Sequence, residues 1–275
     1  MYRADYHTHS SCSPDGSCTM AELAEQAIAV GLQELCITDH VDTILWARGT
    51  VYGTPRESFC WQPAIEQFQQ AQSLYGERIT LRLGAELGEV TQHPDAMERF
   101  LQQAPALDFC IGSVHTVGEE LGWQDLFSIP ASEPEHWDPI CRSYLKQVYA
   151  LAQWGKFDVL GHLTLPARYA WDRCGIRLDF TPYRDEIAAI FTALIDRGRG
   201  IEVNTNRGNL PLPHAPWLRL YRDLGGERIT IGSDAHTTQY IGCAVASAQE
   251  LLRSCGFRYF NTYQKHEASF HRIDL

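Results

Sequence analysis

Two histidines spaced two apart, His7 and His9 in Asp5-Tyr6-His7-Thr8-His9, follow a stretch that reads as a short strand. In extended chain, side chains at i and i+2 project from the same face. Neutral imidazole is the commonest metal-ligating side chain, so such a pair at a strand end is a ready chelate for a divalent ion. Alone, it equally describes two loop or core histidines. The rest of the chain weighs against that reading. His40, Glu86, His115, His162, Asp234 and His236 each fall at the end of a strand-like stretch, and Asp15 lies in the first loop. Each has an ordinary reading by itself. A histidine after a strand is usually a hydrogen-bonded loop residue, Glu86 and Glu89 read as solvated acids, and Asp15 suits the acid of a Pro-Asp-Gly turn. Their recurrence at corresponding places is what the ordinary readings leave unexplained. His93, His136, His214, His266 and His271 fall away from strand ends and read as surface or structural residues.

Such a set exceeds one ion, since zinc takes about four ligands and harder cations about six. It suits two or three divalent ions sharing bridging carboxylates, and mixed imidazole and carboxylate ligation favours zinc, iron or manganese over calcium. Three divalent ions bring about +6 against about −3 from Asp15, Glu86 and Asp234; a bridging hydroxide and a phosphate monoester dianion then bring the site close to neutral. That cluster acidifies bound water and clamps the phosphoryl oxygens of an in-line displacement.

The elements that must bring these residues together alternate between strand and helix from end to end. Strand-like stretches run over 3–7, 35–38, 79–85, 109–114, 159–161, 201–204 and 229–232. Helical periodicity covers the stretch after the Thr19-Met-Ala-Glu22 capping box, then 63–75, 95–103, about 135–154, 181–197, 216–224 and 244–254. The tail from Tyr259 onward reads as an added edge strand, and long loops run over 41–61 and 115–135. About seven β/α units predict an α/β fold with the ligand-type residues on the C-terminal face of a barrel, where the βα loops converge. No internal repeat, low-complexity stretch or composition shift divides residues 1–275, so one domain is expected.

Of 275 residues, 44% are hydrophobic, enough for a sizeable core, and 21% are charged. A net charge of −11 argues against a general nucleic-acid surface but not against one small phosphorylated molecule. No apolar run reaches membrane-span length, and no signal-type segment opens the chain. Nine cysteines without a C-x-x-C pair read as reduced thiols of a cytoplasmic protein, with Cys12 and Cys18 as small loop residues.

The blocks Asp-Tyr-His7-Thr-His9 with Asp15-Gly, Ile-Thr-Asp-His40, Gly-Ala-Glu86, Gly-Ser-Val-His115, Gly-His162 and Gly-Ser-Asp234-Ala-His236 resemble the PHP (polymerase and histidinol phosphatase) superfamily. Their order and the chain length are similar to its histidinol-phosphatase branch. The resemblance spans almost the whole chain and implies a distorted (β/α)7, TIM-like barrel carrying a trinuclear metal centre. It implies that His7, His9, Glu86 and Asp234 hold one metal. Glu86 then bridges to a second on His115 and His162, while Asp15, His40 and His236 hold the third. In some relatives a histidine stands at the Asp15 position. The implied reaction is hydrolysis of L-histidinol phosphate to L-histidinol and phosphate, a step of histidine biosynthesis.

A monoester phosphate calls for guanidinium partners, and Arg168, shortly after His162, and Arg207, shortly after the sixth strand, are the candidates; both also read as surface salt bridges. Glu202-Val-Asn204-Thr-Asn-Arg207-Gly departs from the family's Glu-x-Asn-Thr-Ser-Gly-x-Arg stretch in placing its arginine early. Asn204 is expected to touch substrate or to hold its loop. Trp46, Tyr52, Trp61 and Trp123, in the two long loops, either wall an imidazole pocket or pack the loops down. No Ser or Cys nucleophile motif and no P-loop is present. The expected mechanism is therefore attack of a metal-bridging hydroxide on phosphorus, with Asp234 and His236 as candidates for proton handling. Two rivals are a PHP phosphoesterase acting on nucleotides or short oligonucleotides, and a metal-binding regulatory module without turnover.

Overall fold

A computed structural model describes residues 1–43 and 60–273. Its first half contains β1 (Ala4–Asp5), α1 (Met20–Ala29), β2 (Glu34–Ile37), β3 (His40–Asp42), α2 (Trp61–Tyr75), β4 (Thr80–Gly88), α3 (Pro94–Gln103), β5 (Phe109–Ser113) and α4 (Trp137–Trp154). The second half contains β6 (Val159–Leu160), α5 (Leu165–Cys174), α6 (Arg184–Asp196), β7 (Gly200–Asn204), α7 (Ala215–Asp223), β8 (Ile229–Gly232), α8 (Val245–Ser254), β9 (Tyr259–Gln264) and β10 (Glu267–Arg272).

The main sheet is parallel, in the order β1-β2-β4-β5-β6-β7-β8, with β3 pairing onto β4 beyond the end of β2. β2 and β3 are two pieces of one stave, interrupted at Thr38-Asp39, so the expected seven-stave count holds. First and last staves meet through the Tyr6 N–H on the Ile231 carbonyl (2.9 Å), the Asp234 N–H on the His7 carbonyl (2.8 Å) and a bridge between Thr8 and Ala235. That seam sets His7, His9, Asp234 and His236 side by side.

Local sequence explains the helices around the sheet. Thr19 and Glu22 form the expected capping box, and Met20, Leu23, Ala24 and Ala27 then recur on one buried face. Fully burying a side chain such as Leu23 contributes roughly 1.5–3 kcal/mol. Three expectations are corrected. Arg168 lies on α5, a helix absent from the expected elements; Leu165-Pro166 is its overlooked start signal, since proline suits a first helical turn. Glu86 lies inside β4, which continues to Gly88 because β3 extends its pairing. The tail forms a separate antiparallel hairpin, β9–β10, instead of an edge strand of the barrel. All nine cysteines are free thiols. Among the described residues, no helix is long and apolar enough to cross a membrane.

Candidate active site

The structure gathers His7, His9, His40, Glu86, His115, His162, Asp234 and His236 at the C-terminal ends of the staves, with Asp15 reaching in from the first loop. His7 Nε2 lies 3.3 Å from Glu86 Oε2 and 3.6 Å from Asp234 Oδ1. His9 Nε2 lies 3.5 and 3.4 Å from the same two oxygens. Ligands about 2.0–2.1 Å from a tetrahedral ion stand roughly 3.3 Å apart; His7, His9 and Asp234 offer ligand atoms within 4.8 Å of one another, and Glu86 Oε2 lies beside them, 2.9 Å from His40 Nδ1. Glu86 Oε1 faces His115 Nε2 at 3.3 Å and His162 Nε2 at 3.0 Å, so the two oxygens of one carboxylate address two groups of imidazoles. His236 Nε2 lies 3.2 Å from Asp15 Oδ2 and His40 Nε2 3.7 Å from Asp15 Oδ1. The Asp15 side chain is 50% exposed, unlike the other carboxylates of the set.

The fit to metal rests on what these atoms lack. His7 Nε2, His9 Nε2 and Glu86 Oε2 are buried without a hydrogen-bond partner, an arrangement native interiors avoid unless something else occupies the gap. Charge points the same way. Burial pulls His7 toward the neutral form, yet the carboxylates of Glu202, Glu86 and Asp234 outweigh it and hold the ring well above its ordinary range. Burial disfavours the Glu86 carboxylate, and His7, His40 and His115 together overcome that and hold it well below its ordinary range. A divalent cation held by these residues would supply the positive charge that those protons supply here.

Partners behind the ring orient the imidazoles. His7 Nδ1 bonds Glu202 Oε1 at 2.7 Å, which leaves Nε2 as the free lone pair. Glu202 Oε2 also accepts the His162 N–H at 2.8 Å. His9 Nδ1 bonds Ser13 Oγ at 3.2 Å. Ser13 in turn donates to Asp39, which also accepts from the Ser10 N–H and hydroxyl. His115 Nδ1 lies 3.4 Å from Glu89, which accepts the His115 N–H at 2.9 Å. Glu89, read from sequence as a solvated acid, is buried. Glu202 and Asp39 are functional positions that ligand spacing did not single out. Two signals were present: Glu202 stands two before Asn204 on one strand face, and Asp39 directly precedes His40. Close approach at the seam also explains Gly232: a Cβ there would stand 2.2 Å from Glu202 Oε1 and 2.4 Å from the His7 Cβ. Asp234, next but one, adopts the left-handed region at φ 58°, a strained conformation of the kind that clusters at active sites.

The ring opens into a cavity of about 370 Å³ lined by Asp15, His40, His115, His162, Arg168, Asp234 and His236 on the polar side. Phe127, Leu165 and Tyr169 also line it, as does Asp125, whose carboxyl burial pushes up to about 6. Arg168 Nη1 donates to Asp234 Oδ2 at 2.6 Å, Nη2 to Asn204 Oδ1 at 2.7 Å and Nε to Asn206 Oδ1 at 2.9 Å. A guanidinium has five N–H donors, so it retains two for a ligand. Asn204 is fully buried behind Arg168 and holds it; it does not line the cavity. Arg207 is a correction: it pairs with Asp172 on the surface and does not line the cavity. Trp61 and Trp123 likewise do not line it, and Trp46 and Tyr52 lie outside the described residues. None of His93, His136, His214, His266 and His271 joins the ring; His214 borders a separate cavity.

A parallel barrel with imidazoles and carboxylates converging on its strand ends beside a buried arginine has the make-up of a metal-dependent hydrolase. The PHP domain family model matches residues 5–206, and the chain belongs to that family. A probable histidinol-phosphatase of Thermotoga maritima is 28% identical over 263 residues, 93% of each chain. The histidinol-phosphatase of Lactococcus lactis subsp. lactis is 27% identical over 268 residues, covering 96% of this chain and 95% of that one. The crystal structure of the L. lactis histidinol phosphate phosphatase, complexed with zinc, L-histidinol and phosphate, superposes with a TM-score of 0.81 at 24% identity, over 97% of this chain and 98% of that one.

Proposed function

We propose that this chain is a phosphatase that hydrolyses L-histidinol phosphate to L-histidinol and phosphate, as a single catalytic unit using two or three divalent ions of the zinc, iron or manganese type. The observation that carries the reading is one cavity lined by Asp15, His40, His115, His162, Asp234, His236 and Arg168, with the unpartnered atoms of His7, His9 and Glu86 directly behind it. The names of the T. maritima and L. lactis relatives, matched over nearly their full length, support the substrate.

In this reading His7, His9, Glu86 and Asp234 hold one ion, Glu86 bridges to a second on His115 and His162, and Asp15, His40 and His236 take a third. Bound divalent ions supply Lewis acidity toward the phosphoryl oxygens and acidify water. The chain's own groups do the rest. Arg168 presents two N–H donors to the phosphoryl oxygens, held rigid by Asp234, Asn204 and Asn206. Asp234 is held as a carboxylate: burial opposes this, but Arg168 and His7 outweigh it and keep the carboxyl well below its usual range. It therefore orients Arg168 and the imidazoles rather than delivering a proton. With the third site empty, His236 Nε2 can carry a proton to the leaving alcohol; with that site filled it would be a ligand, and the proton would come from solvent. His236 Nδ1 bonds the Asp234 carbonyl at 3.0 Å, and its ring lines the cavity with 27% of the side chain exposed.

A substrate panel with metal analysis tests the reading. Turnover of L-histidinol phosphate well above that of nucleotides and generic phosphomonoesters is expected. Preference for nucleotides, or no turnover by fully metal-loaded protein, overturns it. Arg168→Ala is expected to lower kcat/KM by about 10²-fold, in line with loss of charge-assisted donors to the reacting group; unchanged activity removes the phosphate-clamp role.

A further inference from the structure

The cavity holds one charged group that phosphate hydrolysis leaves unused. Asp125 lies on the loop after β5 and lines the cavity with Phe127, Leu165 and Tyr169. It is 4% exposed. Its Oδ1 accepts the Phe127 N–H at 2.8 Å, and no arginine, lysine or histidine of the described residues forms an ion pair with it. The cationic groups that act on it are His115, which is turned to Glu86 and Glu89, and Arg173, which donates to the Ile129 carbonyl at 2.6 Å. The carboxylate is nevertheless held firmly, because Asp125 bridges to Thr116 and the Leu126 N–H bonds the His115 carbonyl at 2.9 Å. It is thus registered against His115, a member of the imidazole ring.

A buried carboxylate with one neutral donor and no ion-pair partner is an unfavourable arrangement that a cation from outside would relieve. It repels a phosphate, so it belongs to the other end of any phosphate ester bound here. Phe127 and Tyr169 stand beside it edge to face, 5.9 Å between centroids at 82°, and Phe127 is about half exposed. Aromatic walls next to a fixed carboxylate suit an organic cation carrying a flat ring. We propose that Asp125 is the specificity-determining residue of this site, binding an ammonium group on the alcohol portion of the ester while Arg168 and the ligand ring take the phosphoryl group. The substrate class is the phosphate monoesters of amino alcohols. This rests on the phosphatase reading and deepens it.

The test uses metal-loaded protein, with bound metal measured in every variant. L-Histidinol phosphate is compared with 3-(imidazol-4-yl)propyl phosphate, which lacks the amine, in the native chain, Asp125→Asn and Asp125→Glu. A hydrogen-bonded charge pair is worth about 1.5–3 kcal/mol, so Asp125→Asn is expected to raise KM for the amino ester about 10- to 100-fold. Little change in kcat is expected, the amine-free ester should lose less than about threefold, and Asp125→Glu should recover part of the loss. Equal loss on both esters, or retained discrimination, overturns the proposal. Should the native chain leave histidinol phosphate untouched, the function reading fails separately, and the same variants are compared on 2-aminoethyl and ethyl phosphate. A native preference for the amino ester that Asp125→Asn abolishes then sustains the role of Asp125, and no native preference overturns it.

Discussion

Both ends of the barrel set histidine beside buried carboxylate, yet the two ends use the arrangement differently. At the N-terminal end, ligand-type atoms of Cys110, Asp158 and His266 lie within 4.8 Å of one another, just as the triads of the C-terminal end do. Asp158 Oδ2 there accepts the Cys110 N–H and bonds His266 Nδ1, both at 2.8 Å, and Arg199 stands 3.8 Å from Oδ1. Asp108 receives the Lys265 and His266 N–H groups of the hairpin turn. Glu34 accepts the hydroxyls of Tyr2 and Tyr6 and the Nε–H of Arg82. The carboxylates of Asp158 and Glu34 have partners here, and these bonds clip the β9–β10 hairpin and the first stave to the barrel floor. At the other end, His7 Nε2 and His9 Nε2 face Glu86 Oε2 at 3.3 and 3.5 Å, and none of the three atoms has a hydrogen-bond partner. Proximity of ligand-type residues is common to both ends. Unfilled bonding capacity separates a site from a latch.

The contrast is sharpest at Glu86, which faces His7, His9, His40, His115 and His162. Glu86→Gln is expected to lose bound metal and to lower kcat/KM on the order of 10³-fold or more, with the fold retained; elemental analysis, kinetics and circular dichroism check it. An active, metal-replete Glu86→Gln protein breaks the comparison outright. A smaller effect is expected one layer back. Glu202→Gln weakens the acceptor that orients His7, and metal affinity should fall about 10- to 100-fold, read by competition with a chromophoric chelator.

The floor should respond in the opposite sense. Asp158→Asn is expected to cost about 1–3 kcal/mol in urea unfolding while activity at saturating metal is kept. Smallest is His266→Ala, at most about 1 kcal/mol given that the ring is half exposed and screened by solvent. Its pH dependence carries the information. The Asp158 bond raises the His266 pKa in the folded protein. The stabilisation is therefore complete below the ordinary imidazole value of about 6.5 and fades as pH rises through the higher folded value. The stability gap between native and His266→Ala proteins should be wider near about pH 5.5 than near about pH 9. A gap that widens with pH instead denies the ion-pair latch.

The ring is legible in the amino-acid sequence because its members announce themselves locally. His7 and His9 are two apart on a strand end, and His40, Glu86, His115, His162 and Asp234 each follow an apolar run. Residues that act through another are harder to read. Glu202 and Asn204 resemble any polar pair in a strand, and Asn204 holds Arg168 rather than touching the cavity. Arg168 and Arg207 are equivalent candidates by sequence position. The α5 helix carries one to Asp234, while the left-handed backbone at Arg207 (φ 55°) sends the other to Asp172.

Chain-local rules are enough for the alternation of strands and helices, the α1 capping box and the residues that end the staves, because these depend on periodicities of two and 3.6 and on neighbours a few positions away. Tertiary structure alone decides which atoms remain without partners, which arginine lines the cavity and which further carboxylate lines it too. Those outcomes depend on closure of the barrel seam between His7 and Asp234 and on packing of the βα loops over it. Contacts between residues so far apart along the chain leave no periodic trace in it.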